Sequence, residues 1–135
     1  MKASYRKSTN IFTYYNRNPK GKLRGSDCVA RAISTATGMS WETVIRDITE
    51  LGIKLGSVFN EKSTYAKWLE LNGWVKMPQP RKINNTKYTL AEFLKLCPKG
   101  IYIVNLANHL TVVEDGIVYD TWDCTRKTVG NYWTK

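Results

Sequence analysis

The apolar residues between positions 28 and 96 recur at the three- and four-residue spacing that is typical of amphipathic helices. Ser26-Asp27 predicts an N-cap directly before the first of these segments, and Gly38 predicts its end. The sequence Thr89-Leu90-Ala91-Glu92 has the form of a capping box and predicts the start of the last one. The whole pattern predicts four helices, over about residues 28–37, 40–52, 61–71 and 89–97.

From Ile101 onward the pattern changes to short β-branched and apolar runs, which predict strands. The runs Ile101–Leu106 and His109–Glu114 are followed by Asp115-Gly116, a strong signal for a two-residue hairpin turn. Further strands are predicted over residues 117–120 and around 129–133. Because the helices precede the strands, the sequence predicts an α+β fold with N-terminal helices packed on a C-terminal antiparallel β-sheet.

Two segments carry neither pattern, and both are predicted to be irregular. Residues 1–25 are polar, basic and aromatic, which predicts an N-terminal arm packed on the body of the protein. Residues 74–88 contain Pro78 and Pro80 among basic neighbours, which predicts a loop. With 42% apolar residues and no internal repeat, residues 1–135 are expected to form one domain with a real core.

The formal net charge of +10 is concentrated in two parts of the chain. The segment from Met1 to Arg24 holds seven basic residues, no acidic one and several interleaved tyrosines, and a second basic stretch runs from Lys76 to Lys87. One interpretation is a solvated basic surface without a specific role. The other is a binding surface for an acidic protein or a nucleic acid.

Cysteine usage and hydropathy restrict the class of protein. Cys28, Cys97 and Cys124 are an odd number at wide spacings, which favours a reduced, cytoplasmic protein. No stretch approaches the roughly 20 apolar residues of a membrane span, and residues 1–19 have no apolar run suited to a signal peptide. A single histidine and three separated cysteines lack zinc-site spacing, and no phosphate loop is present. We therefore expect no metal, no cofactor and no membrane partner, and the oligomeric state stays open.

Cys28 is predicted to open the first helix, directly after the cap position Asp27. A free thiol is mostly protonated near neutral pH, so a cysteine nucleophile needs a helix N-terminus, a nearby base, or both. The helix dipole and the unpaired N–H groups at this position favour the thiolate and can also hold an oxyanion. The competing interpretation is an inert cysteine in the core.

His109 is the only histidine of the chain and is predicted to open a strand. A two-residue turn at Asp115-Gly116 sets the register of the hairpin, with His109 opposite Trp122 and Thr111 opposite Asp120. His109 and Asp120 then lie on the same face as diagonal neighbours, so Asp120 is the carboxylate able to orient the imidazole. The alternatives are a histidine with a purely structural hydrogen bond and an aspartate that ends a strand.

The order of these residues resembles that of the papain-like cysteine peptidases: a cysteine opens a helix, a histidine starts a strand 81 positions later, and an aspartate lies on the next strand. The segments Asp27–Ala32, His109–Val113 and Val118–Trp122 resemble compact members of that superfamily, which include bacteriocin-leader peptidases of export transporters and small phage-encoded relatives. The likeness covers about residues 25–133 in element order and these three segments in residue detail.

The resemblance implies a thiol-dependent hydrolase that acts on a protein or peptide substrate and cleaves a peptide, isopeptide or related acyl bond. Cys28 is then the nucleophile, His109 its base, and Asp120 the residue that orients the ring. Papain-like enzymes usually place a glutamine a few residues before the nucleophile, where it completes the oxyanion hole. This chain departs from that pattern, because Lys22 stands six positions before Cys28 and no glutamine occurs upstream.

Four residues are candidates for the missing donor or for an accessory role in the site: Asn16, Asn18, Asp27 and Trp122. The two asparagines can replace the glutamine if the N-terminal arm folds over the site, and the tryptophan, opposite His109, can shield the site from water. Loss of one oxyanion donor costs on the order of 100-fold in rate. The alternative function is therefore a weak or inactive scaffold of the same fold that binds an acidic protein or nucleic acid.

Overall fold

The computed structural model describes residues 7–22 and 25–135, and these residues form an α+β protein. Its four helices are α1 (Cys28–Thr37), α2 (Trp41–Leu55), α3 (Lys62–Leu71) and α4 (Leu90–Leu96). Its six strands are β1 (Phe12–Tyr14), β2 (Val75–Met77), β3 (Ile101–Leu106), β4 (His109–Glu114), β5 (Ile117–Asp120) and β6 (Val129–Thr134). They form one mixed sheet in the order β1-β5-β4-β3-β6-β2.

The predicted capping box at the start of α4 is confirmed by its side-chain hydrogen bonds. The Thr89 side chain accepts a hydrogen bond from the Glu92 amide, and the Glu92 carboxylate accepts one from the Thr89 amide, which completes the capping box of α4. For α1 the prediction was wrong in one respect. Asp27 occupies the N-cap position, but its carboxylate makes no capping hydrogen bond and is used elsewhere.

The hairpin of β4 and β5 has the predicted register. Glu114 pairs with Ile117 across a turn in which Asp115 and Gly116 have φ angles of 49° and 79°. Both angles lie in the left-handed region that a two-residue hairpin turn requires at its central positions, and Asp-Gly meets that requirement at low cost. This register determines which side chains from the two strands meet at the far end of the hairpin.

Two short strands correct the predictions for the irregular segments. Residues 12–14 form β1, which runs parallel to β5 and makes the sheet mixed instead of antiparallel. Residues 75–77 form β2, which pairs antiparallel with β6 inside the predicted loop. The side chain of Phe12 is fully buried, so packing against the sheet holds a segment whose own sequence pattern is weak. The basic positions Lys2, Arg6 and Arg24, together with Tyr5, lie outside the described residues.

Two hydrophobic clusters cover the two faces of the sheet, because alternate residues of β3 and β4 point to opposite sides. On one face Ile103 and Leu110 pack with residues of α1, α2 and α3. On the other face Val104 and Val113 pack with Phe93 of α4 and with β1. None of the four described helices has the length and apolarity that a bilayer crossing demands.

Candidate active site

A cleft of about 620 Å³ opens beside the first turn of α1, and Cys28 lines it. Cys28 is half-buried, with the start of β4 beside it, where His109 and Leu110 also line the cleft. The prediction that Cys28 opens a helix is confirmed. Because the Asp27 side chain does not cap this helix, it does not occupy the first N–H groups, which therefore keep their capacity to bind an anion.

His109 is held between a carboxylate and an aromatic ring. Its Nε2 atom lies 2.7 Å from Oδ2 of Asp120, and its ring centroid lies 4.9 Å from that of Trp122 at an angle of 52°. The hairpin register brings these three residues together, as the sequence predicts. With Nε2 bound to the carboxylate, Nδ1 is the nitrogen left to exchange a proton with a group in the cleft.

Asp120 is a buried carboxylate with several donors. Oδ2 accepts hydrogen bonds from His109 and from the Thr111 hydroxyl, both at 2.7 Å, and Oδ1 accepts one from the Thr121 amide at 2.7 Å. The Arg31 guanidinium lies 3.5 Å from Oδ1. Burial alone raises the pKa of Asp120, but these donors and positive charges lower it below its ordinary value of 3.8. The carboxylate is therefore ionised and fixed in orientation.

Arg31 is a site residue that sequence analysis missed. Its Nη1 atom lies 2.7 Å from Asp27 Oδ1, and its Nη2 atom faces Asp120, so one buried guanidinium joins two buried carboxylates. Asp27 also accepts hydrogen bonds from Asn18 and from the Trp41 indole. The spacing of Asp27 and Arg31 by four residues at a helix start is a readable signal of an ion pair. The link to Asp120 depends on tertiary structure and has no local signal.

The thiol and the imidazole shift each other's protonation. Burial alone raises the pKa of Cys28, but a hydrogen bond with His109, another with the Leu110 backbone, and the charges of His109 and Arg31 bring the pKa below 9.0. Burial alone lowers the pKa of His109, but hydrogen bonds with Asp120, Cys124 and Cys28 raise it from 6.5 to about 11. These opposite shifts favour a thiolate beside an imidazolium.

The predicted accessory residues lie in different places. Trp122 lines the cleft, whereas Asn16, Asn18 and Asp27 do not. The side-chain amide of Asn16 donates to the Lys22 carbonyl, and that of Asn18 donates to Asp27. Neither asparagine therefore directs its amide into the cleft, and the proposal that they replace the missing glutamine is not supported.

The cleft instead presents polar groups that the sequence did not single out. Asn60, Lys62 and Tyr65 line it from the α3 side, and Asn105 and Asn108 line it from the sheet. None of the described residues that line the cleft is acidic. A substrate in this cleft therefore meets amide, hydroxyl and cationic groups.

One cluster in the described part of the chain has ligand atoms close enough to hold a metal ion: His109, Asp120 and Cys124, with those atoms within 4.8 Å of one another. The chemistry of the cluster does not favour a cation. The Arg31 guanidinium lies beside Asp120, and Oδ2 of that carboxylate already accepts two hydrogen bonds. The burial and the charge of Asp120 also raise the pKa of Cys124, which opposes the thiolate form that binds metals.

The geometry defines a site in which a thiol at a helix N-terminus shares a cleft with an imidazole that is bound to a buried carboxylate. Comparisons of the chain with protein-family models, with curated proteins and with solved structures found no match. The functional interpretation therefore depends on the geometry and chemistry of the site.

Proposed function

We propose that this protein is a papain-like, thiol-dependent hydrolase that cleaves a peptide, isopeptide or related acyl bond. The observation that carries the proposal is that Cys28 and His109 line one substrate-sized cleft, with the His109 imidazole bound to the buried Asp120 carboxylate. A thiol nucleophile needs a base within reach and a third group that holds the base in orientation. The three side chains match those roles.

In the proposed reaction the Cys28 thiolate attacks the acyl carbonyl carbon, and the electron pair of the C=O bond moves to the oxygen. The tetrahedral intermediate collapses as His109 gives its proton to the leaving nitrogen, which leaves a thioester on Cys28. A water molecule then attacks the thioester while His109 takes its proton. The acid product leaves with the thiolate regenerated, and Asp120 keeps the imidazole in one orientation throughout.

The experiment that tests this proposal is the rate of iodoacetamide labelling of each cysteine as a function of pH, in the wild type and in His109→Ala. We expect Cys28 to react fastest in the wild type, with an apparent pKa below that of an ordinary thiol. His109→Ala should slow the labelling of Cys28 near pH 6 on the order of 100-fold, because the thiolate loses its counter-ion. Mass spectrometry of the digested protein assigns the label to each site.

Cys97 serves as the internal control, because it lies outside the cleft and its labelling should not change in the variant. Burial raises the pKa of Cys97, so its rate should increase only at alkaline pH. If Cys28 reacts like Cys97 and is indifferent to His109, the proposed hydrolase is wrong.

A second candidate function is a binding protein for an acidic protein or nucleic acid on the same scaffold. The observation that favours it is the net charge of +10 together with a cleft whose described lining includes Lys62 and no acidic residue. Burial and the positive charge of Lys76 lower the pKa of Lys62, as expected where cations are crowded. Retention on immobilised heparin that decreases with salt and persists in Cys28→Ala would support the binding function. If Lys62→Met elutes at the same salt concentration as the wild type, the cleft has no role in that binding.

A further inference from the structure

The cleft contains a buried tyrosine that the reaction described above does not use. Tyr65 lies on α3, is 5% exposed as a residue, and lines the cleft together with Cys28 and His109. Its hydroxyl oxygen accepts a hydrogen bond from Nδ2 of Asn105 at 3.0 Å. A buried polar group that lines the same cleft as a candidate nucleophile is itself a candidate for a role in the reaction.

Two contacts hold the Tyr65 side chain in position: the packing of its ring and the hydrogen bond from Asn105. The ring packs edge-on against Trp133, with centroids 6.0 Å apart, and this contact holds the side chain. Asn105 lies where the register between β3 and β6 shifts. Gly130 allows the close approach there, because a Cβ atom on it would lie 3.2 Å from the Asn105 carbonyl oxygen. Irregular pairing of this kind redirects side chains beside functional sites.

The proton of this hydroxyl is available to a ligand. Within residues 7–22 and 25–135, the bond from Asn105 is the only hydrogen bond that the Tyr65 oxygen makes, and it makes it as an acceptor. Burial and the negative charge of Cys28 raise the pKa of Tyr65 to about 12, while the Asn105 bond lowers it. The phenol therefore keeps its proton at neutral pH and remains able to donate it in a hydrogen bond.

We propose that the Tyr65 hydroxyl, oriented by Asn105, donates a hydrogen bond to the oxyanion that forms when Cys28 attacks an acyl carbonyl. This inference rests on the proposed hydrolase function and supplies the donor that the absent upstream glutamine would provide. The C=O electron pair moves to oxygen as the carbon–sulfur bond forms, and the tyrosine proton stays on the phenol. When the intermediate collapses, the electron pair returns and the leaving group departs with the electrons of its bond.

The test compares two reactions of the same thiol in Tyr65→Phe. Iodoacetamide alkylates Cys28 by displacement of iodide and forms no oxyanion, whereas p-nitrophenyl acetate acylates it through a tetrahedral oxyanion and releases nitrophenolate. Tyr65→Phe should slow acylation by about 100-fold and change alkylation by less than about 2-fold. Nitrophenolate release by Cys28→Ala is subtracted, because surface amines also react with the ester.

Two further variants make the result specific. Tyr102→Phe is the matched control, because the Tyr102 hydroxyl donates to the Lys99 carbonyl and does not line the cleft, so neither reaction should change. Asn105→Ala removes the group that orients the phenol but leaves the phenol in place, so we expect a partial loss of acylation of about 10-fold.

The outcomes separate the two levels of inference. Slower acylation with unchanged alkylation supports the role of Tyr65. Unchanged acylation in Tyr65→Phe, or an equal loss in both reactions, overturns it, because a donor to the oxyanion selectively slows the reaction that forms one when it is removed. Alkylation that is independent of His109 in the otherwise wild-type protein overturns the hydrolase itself, and that measurement does not involve Tyr65.

Discussion

Two thiols lie beside the same histidine, and their pKa values shift in opposite directions. Cys28 opens α1, lines the cleft and has a pKa below its ordinary value. Cys124 follows β5, is 1% exposed, and its Sγ atom lies 3.7 Å from Oδ2 of Asp120. Burial and the charge of Asp120 raise the pKa of Cys124, although the interactions with His109 lower it.

Proximity to a histidine therefore does not by itself make a cysteine reactive. The carboxylate side of the ring keeps a thiol protonated, because a second negative charge there meets Asp120. The opposite side offers the imidazolium, the charge of Arg31 and the start of a helix. The Cys28 side of the ring is thus the one on which a thiolate forms.

The strongest way to break this contrast is to neutralise the carboxylate in Asp120→Asn. Without that charge the imidazolium loses its main partner, so the pKa of Cys28 should rise, whereas Cys124 loses both the charge that raises its pKa and the imidazolium that lowers it, and should stay unreactive. We expect labelling of Cys28 with iodoacetamide near pH 6 to slow between about 10- and 100-fold. The measurement is the pH profile of labelling at both cysteines.

Asp123→Asn is the matched control for that variant, since the Asp123 carboxylate accepts hydrogen bonds from the amide and hydroxyl of Thr125 and does not contact the histidine. Its labelling profile should equal that of the wild type. An unchanged Cys28 profile in Asp120→Asn would show that the Asp120 carboxylate does not contribute to the lowered pKa of the thiol.

The second prediction concerns stability as a function of pH. Folding raises the pKa of His109 from 6.5 to about 11, so the folded state holds this proton more tightly than the unfolded state. The resulting stabilisation is complete below pH 6.5 and is lost as the pH rises toward 11. Because the proton of Cys28 is coupled to that of His109, the comparison is made in a Cys28→Ala background. There the difference in unfolding free energy between the proteins with His109 and with His109→Ala should shrink by at least about 1.4 kcal/mol between roughly pH 6 and pH 10.

Urea unfolding of the two proteins at several pH values measures this difference. Other titrating groups contribute to both proteins and largely cancel when one free energy is subtracted from the other. In the Cys28→Ala background, a difference that does not depend on pH would mean that folding does not raise the pKa of His109, which contradicts the imidazolium that the thiolate–imidazolium pair requires.

The smallest effect is expected for Cys124→Ala, which removes the protonated thiol and tests whether Cys28 depends on it. The pH profile of Cys28 labelling should change by less than about 2-fold, because Cys124 lies on the carboxylate side of the ring and carries no charge. Stability should fall by about 1 kcal/mol, as for the loss of a small buried side chain. A large loss of Cys28 reactivity would make Cys124 a working member of the site.

Local patterns predict much of this structure and the core of the site. The Asp115-Gly116 turn determines the hairpin register, and that register alone places His109, Asp120 and Trp122 together. Likewise, the start of α1 is marked within a few residues of Cys28. Features whose causes lie within one helix or one hairpin are therefore accessible from the sequence.

The features that were missed depend on contacts between distant segments. β1 and β2 have three residues each, too short for an alternating pattern, and pairing with β5 and β6 makes them strands. The position of Tyr65 in the cleft follows from the packing of α3, since an inward-facing aromatic residue on a helix looks the same in the sequence whether or not a nucleophile lies beside it.

The parallel pairing of β1 with β5 has a consequence for the synthesis of the protein. The backbone amide of Tyr15 donates to the Asp120 carbonyl, so the segment that enters the sheet at one edge must wait for a partner made much later. Cys28 is likewise synthesised 81 residues before His109. At roughly 5–20 residues per second, the nascent chain carries a thiol without its imidazole for several seconds. Because His109 is synthesised after Cys28, the thiolate–imidazolium pair forms only once the strands beside the cleft have been made.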